Sequence, residues 1–222
     1  DLVRRLQMMM EEDVEKVWSL ILSWHANKPD EQDVISLREC IRRYAFTRRG
    51  KKNLRDTTLS KAKEVYAALT PKDVVNRHQW LFENAWVEES AEEIEGDDYD
   101  FKKRDERIAA QRLEALKDVW DAKGIEGIKA LVVAGEAGGV IGERVAAGII
   151  AKHIESCSFI LELINEGGEE NLFKFNACIT GFLHSKSANQ QKKIILYLAE
   201  KLSDSKESEN KVLRLIQNAP FN

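Results

Sequence analysis

GIEGIKALVVAGEAGGVIGERVAAGII, residues Gly124–Ile150, admits two readings. In the first, Val132-Val133-Ala134-Gly135 is a strand, and Gly138, Gly139 and Gly142 form a turn that cradles a pyrophosphate at a helix N-terminus. In the second, two apolar helices meet across a short turn, and the glycines let them approach closely. The spacing favours the second. It runs Gly-x-x-Gly-Gly-x-x-Gly, not Gly-x-Gly-x-x-Gly, and the next acid after the helix, Glu155, comes too early for a ribose contact. No Gly-Lys-Ser/Thr follows, so a P-loop is excluded. One strand–helix unit also cannot bury itself, and the chain offers no other convincing parallel strands. In the helical reading Ile125, Ile128, Leu131 and Val132 share one face, and Val140, Val145 and Ile149 share the next. Glycine inside a helix costs about 1 kcal/mol, so Gly142 and Gly148 mark close helix contacts.

The same rhythm continues outward. Helix starts are expected near Gly124, Ser156 and Ser187, 32 and 31 residues apart. Phe159, Ile160, Leu163 and Ile164 run to Gly167-Gly168, followed by Leu172, Asn176, Ile179 and Leu183. Ser187 and Gln190 form a capping-box pattern ahead of Ile194, Ile195, Leu198 and Leu202. Val212, Leu215 and Ile216 close the chain. Toward the N-terminus, Val14, Val17, Trp18, Ile21 and Leu22 make one stripe, broken at Pro29-Asp30. Val34, Leu37, Ile41 and Tyr44 make another, ended by Gly50, and Leu59, Ala62, Tyr66 and Leu69 a third. Thr70-Pro71 reads as an N-cap and first helical position, with Asp73 in the first turn of a fourth helix carrying Val74, His78, Leu81, Phe82 and Ala85. Ala109, Leu113, Leu116 and Trp120 give a helix around 102–122.

Bulk composition agrees. Only 3 prolines and 12 glycines occur in 222 residues, too few breakers for a turn-dense β protein or a linker. Nine of those glycines fall within 124–168, where the close-packed hairpin is expected. The net charge of -4 gives no global attraction to nucleic acid or anionic membrane. Three dispersed cysteines without a CxxC pair suggest a reducing compartment, hence a cytoplasmic location. No apolar run is long enough to span a membrane. The chain begins without Met and without a signal peptide, and reads as a segment of a longer polypeptide.

Short helices in succession, each pair unable to bury its apolar face alone, predict stacked hairpins in an α-solenoid. Gly124–Ile150 resembles a HEAT repeat: a Leu/Ile/Val helix, a short turn, then a helix with V-x-x-x-x-V-A-A. The resemblance covers about one repeat, and the turn carries Glu136 and Gly138-Gly139 in place of the usual Pro or Asp. It implies an all-α, right-handed, degenerate HEAT-like array whose surfaces bind other proteins, or nucleic acid in some members. The expected organisation is an N-terminal helical region, 1–87, an acidic connection, 88–101, and a helical-repeat region, 102–222. The connection reflects 8 acids and no base within Glu88–Asp100, where like charges repel.

The sharpest local feature is basic: Arg42, Arg43, Arg48, Arg49, Lys51, Lys52 and Arg55, seven cations over 14 residues with no acid between, and Tyr44 and Phe46 interleaved. Three readings compete: a solvated helix end and loop, a partner for the acidic stretch, and a phosphate clamp with stacking aromatics. Tyr44 lies on the core stripe, which counts against stacking. The histidines His25, His78, His153 and His184 form no HExxH or close pair, and no nucleophile sits in a catalytic context. His78 lies on an apolar stripe and reads as a core residue. We therefore expect no catalytic, cofactor or metal site. The chain reads as an interaction scaffold for a protein partner or for adjacent domains of its own polypeptide, with no membrane partner. Polyanion binding through the basic cluster is one alternative. A regulatory arm of an enzyme whose catalytic domain lies elsewhere is another.

Overall fold

A computed structural model describes residues 5–6, 8–47, 50, 53–87, 101–166, 169–203 and 208–219. Among these the chain is all-helical, with ten α-helices and no strand. The acidic segment Glu88–Asp100, Gly167-Gly168 and the cations Arg48, Arg49, Lys51 and Lys52 lie outside the described residues. The chain divides into two units. One takes in residues up to Arg77, and the other joins His78–Val87 to the chain from Asp100 onward.

The first unit holds α1 (Glu11–Ala26), α2 (Glu31–Ala45) and α3 (Asp56–Ala68), with α1 and α2 each packed on α3. All three anticipated stripes meet in one core that includes Val14, Trp18, Val34, Ile41, Ala62, Tyr66 and Leu69. Trp18 and Tyr44 stack edge-on at 5.8 Å, and Phe46 and Tyr66 at 5.3 Å. Tyr44 is thus held in the core, 5% exposed, and unavailable to a base. Asp30 caps α2 by accepting from the Gln32 amide at 2.8 Å, with Pro29 just before it.

α4 (Val74–His78) is shorter than its apolar stripe suggests, because Gln79–Leu81 tightens into a 3-10 turn. Its cap is also not Thr70. The Asp73 carboxylate accepts from the Val75 and Asn76 amides at 2.9 and 3.2 Å, so the helix starts three residues later than expected. A carboxylate neutralises the positive end of a helix more strongly than a hydroxyl, and here it wins the competition.

In the second unit α5 (Phe101–Ala134) breaks at Gly124, where φ +59 and ψ -144 suit glycine alone. Then follow α6 (Gly138–Gly148), α7 (His153–Asn165), α8 (Leu172–His184), α9 (Ala188–Ser203) and α10 (Ser208–Asn218). Val132 and Val133 are helical, which removes the strand that a dinucleotide site would need there. The capping box at α9 is formed: the Ser187 amide donates to Gln190 Oε1 at 3.0 Å, and the Gln190 amide to Ser187 Oγ at 3.4 Å. α7 starts at His153, three residues before Ser156, whose hydroxyl instead bonds back to the Lys152 carbonyl.

Consecutive helices pack as pairs: α5 with α6, α7 with α8, and α9 with α10. The second helices of the pairs also pack on one another. Gly138 abuts Lys174 and Cys178, Gly142 abuts Cys178 and Phe182, and Lys186 reaches the Ala146 carbonyl, so α6 and α8 run parallel. Asn176 meets Arg214 and Thr180 meets Asn218, each 38 residues apart, so α8 and α10 run parallel too. The glycines allow the first of these contacts. A Cβ on Gly142 would overlap the Cys178 carbonyl, and one on Gly181 the Gly139 carbonyl.

Cations on or just past one helix satisfy carbonyls at or just past the end of another, which lack an intrahelical donor. Lys186 Nζ donates to the Ala146 and Ile150 carbonyls at 2.7 Å each, and Lys174 Nζ to Val133 at 2.8 Å. Arg214 donates to the Ile164 carbonyl at 2.5 Å and holds Asn176 Oδ1 at 3.1 Å. Replacing Arg214 with Ala leaves these acceptors unmatched and should cost about 2 kcal/mol. Hydrogen exchange should then speed up in α9 and α10 while α5 and α6 keep their protection. Uniform acceleration, or none, would contradict that role.

Residues 78–87 belong to the second unit for a clear reason. Arg112 of α5 donates to the carbonyls of Leu81, Asn84 and Ala85 at 2.9, 2.9 and 3.0 Å. The Ala137 amide bonds the Phe82 carbonyl at 3.1 Å, and Gly135 leaves no room for a side chain against the same carbonyl. Arg104 stacks on Trp86 at 4.5 Å. The division thus falls after Arg77, ten residues before the end expected for the N-terminal region. Local pattern carries no hint of it, because the segment is held by side chains far along the chain, Arg112 foremost.

Candidate functional site

An open groove of about 770 Å³ runs along α8 in the second unit. Val140 and Glu143 of α6 form one wall; Phe173, Asn176, Thr180 and His184 of α8 form the other; Asn218 of α10 closes one side. The floor is shallow-packed because Gly139, Ala177 and Gly181 carry little or no side chain. The site therefore follows from the same small residues that bring α6 and α8 together. Thr180 Oγ1 donates to Asn218 Oδ1 at 2.7 Å, and Asn218 Nδ2 donates to the Arg214 carbonyl at 2.7 Å. Phe173 stands 80% exposed in the first turn of α8, a large apolar ring left in water. The sequence reading missed this groove. Its only advance signal was the glycine clustering and an Asn within the α8 apolar stripe.

The basic residues are differently placed. Arg42 is 4% exposed, and its guanidinium grips Glu39 in a two-point fork at 2.7 and 2.6 Å. Burial alone would depress its pKa, but the Glu39 carboxylate outweighs this and holds it above the ordinary value. Arg43 shares the same carboxylate at 2.8 Å, and Arg55 reaches Glu12 at 2.9 Å. Exposed pairs of the latter kind are weak and screened by solvent, so Arg43 and Arg55 can exchange partners readily. Arg42 cannot do so without giving up the fork that offsets the burial of its own guanidinium. Arg48, Arg49, Lys51 and Lys52, the centre of the cluster, lie outside the described residues.

The histidines are scattered. His78 Nε2 lies 3.3 Å from Asp118, His153 packs edge-on against Tyr197 at 6.0 Å, and His184 lines the groove. Among the described residues, no three of His, Cys, Asp and Glu gather closely enough to hold a metal ion. No described helix is long and apolar enough to cross a membrane. The cysteines are all free thiols, and burial raises the pKa of each, pushing Cys178 up to about 12. Thiolate is the reactive form, so at neutral pH a maleimide should modify the half-buried Cys40 first and reach Cys178 only after unfolding. Early Cys178 labelling would mean that the α6–α8 seam opens in the native state. No protein-family model matches the chain, and neither curated proteins nor solved structures give a match.

Proposed function

We propose that this chain is a non-catalytic interaction module built of stacked helical hairpins in the manner of a degenerate HEAT-like solenoid, and that it binds a protein partner. The observation that carries the reading is the parallel succession of α6, α8 and α10: α6 meets α8 36 residues on, at Gly138–Lys174 and Gly142–Cys178, and α8 meets α10 38 residues on, at Asn176–Arg214 and Thr180–Asn218. A recurring parallel offset is what stacked repeat units produce, and such stacks present one continuous binding surface. The groove lies on the helices that would form it.

Two experiments bear on this. The purified chain should turn over neither nucleoside triphosphates nor activated esters. Cross-linking with its partner should place most links on α6, α8 and α10. Turnover abolished by a single point substitution, or cross-links confined to other helices, would overturn the reading. The described part of the Arg42–Arg55 cluster adds no support to polyanion binding, since Arg42, Arg43 and Arg55 all sit on carboxylates.

A further inference from the structure

We propose that the groove along α8 takes an extended segment of a partner polypeptide carrying a basic side chain. This rests on the interaction-module reading and names the class of partner. Four features of the groove support it.

The first is length. Lining positions on α8 run from Phe173 to His184. At 1.5 Å per residue they span about 17 Å, which an extended chain covers with about five residues.

The second is the spacing of polar groups. Asn176, Thr180 and His184 stand at every fourth residue of α8 and so recur about every 6 Å. Alternate residues of an extended chain recur about every 6.6 Å, so successive peptide groups on one edge can meet successive side chains. The chemistry alternates as well. Arg214 holds Asn176 by its oxygen, which leaves the amide N–H groups to donate. Thr180 spends its proton on Asn218, which leaves its hydroxyl oxygen to accept. A donor followed by an acceptor suits a strand edge, whereas a helical segment satisfies its own backbone and has no use for such a row.

The third is charge. Glu143 is the carboxylate of the lining; its side chain is 48% exposed, and it pairs with Arg144 at 3.4 Å, an exposed contact that an incoming cation can displace. Its complement is a lysine or arginine of the incoming segment.

The fourth is the apolar seat. Phe173, 80% exposed, and Val140 flank the groove and offer a place for one apolar side chain. Aromatic anchors beside a pocket carry much of the binding energy at protein interfaces.

The test uses phage-displayed random nonapeptides as the probe, selected on the purified chain and then synthesised with a fluorophore for anisotropy. Selected peptides should share a Lys or Arg at fixed distance from an apolar residue. Their Kd should rise about tenfold or more in Phe173→Ser and in Glu143→Lys, with Arg55→Glu unchanged as the control. Peptides in which the basic residue is exchanged for Glu should bind wild type weakly and recover on Glu143→Lys. Both groove positions are exposed, and unchanged melting temperatures will show that the variants fold. Selected peptides that bind both variants like wild type would sink the groove assignment while leaving the interaction module standing. Peptides that turn helical on binding would sink the extended conformation. No enrichment at all would sink the peptide proposal, and the cross-linking experiment would then decide the module reading by itself.

Discussion

Gly142→Ala should destabilise the second unit by about 3 kcal/mol, although alanine is the better helix former by about 1 kcal/mol. The added methyl would land on the Cys178 carbonyl, and its next neighbours, the Cys178 carbonyl carbon and the Phe182 amide nitrogen, are at 2.8 Å. These are backbone atoms in a neighbouring helix and cannot rotate away, so α6 and α8 must separate. Separation withdraws Gly138 from Lys174 and Gly181 from Gly139, and it stretches the Lys186 bonds to Ala146 and Ile150. Gly181→Ala should behave the same way, since its methyl would meet the Gly139 carbonyl. Gly139→Ala should do the opposite. Its methyl would meet only the Ala177 carbonyl at 3.6 Å, ordinary contact, so helix propensity decides and stability should rise by about 1 kcal/mol. Thermal unfolding reads all three, with about 3 °C per kcal/mol expected for a unit of this size. Losses at 142 and 181 with a gain at 139 would establish the seam. Three gains would mean that α6 and α8 do not pack backbone to backbone.

Arg112→Ala should cost a similar amount, about 3 kcal/mol, through a different mechanism. Arg112 is 6% exposed, and its charge faces three backbone carbonyls rather than an acid. Burial pushes its pKa down, and the nearby Arg144 adds to that. The guanidinium therefore carries a desolvation cost, which removing it would relieve. The other side of the balance is larger. Three carbonyls lose charge-assisted bonds worth about 1.5–3 kcal/mol each before compensation by water, and Phe82 loses a cation 5.9 Å from its ring centre. The local readout should be stronger than the global one: limited proteolysis should open between Leu81 and Ala85. Lysine at 112 should rescue only part of the loss, because a single ammonium on a flexible stem cannot span the three carbonyls as a planar fork does. Full rescue by lysine, or undisturbed protection of residues 81–85, would contradict the clamp.

The two variants separate what the groove needs from what the unit needs. Gly142 and Gly181 act on the α6–α8 spacing that shapes the floor, so a peptide probe should lose affinity in these variants together with stability. Arg112 donates to none of the groove-lining residues, so its loss should lower stability before affinity.

Helical periodicity by itself determines much of this protein. Stripes such as Val14–Trp18–Ile21 and Ile194–Leu198–Leu202 repeat at the spacing of a helical face, and such a pattern has no equivalent in a strand. The glycine cluster at 124–148 also signalled close packing, since glycine is retained in helices mainly where a side chain would not fit. Sequence could not say which helix the glycines would meet. Gly142 faces Cys178 of α8, not the adjoining α5, and that partner is fixed only when hairpins stack. Nor could it foresee that Arg42 would turn inward to Glu39, that Asp73 would outcompete Thr70 as a cap, or that residues 78–87 would dock on Arg112. Each outcome is a competition among long-range partners, decided by distance and burial. Local pattern determined the class of every long helix. Tertiary packing decided where the charges were spent, and where a floor of small residues left a groove open.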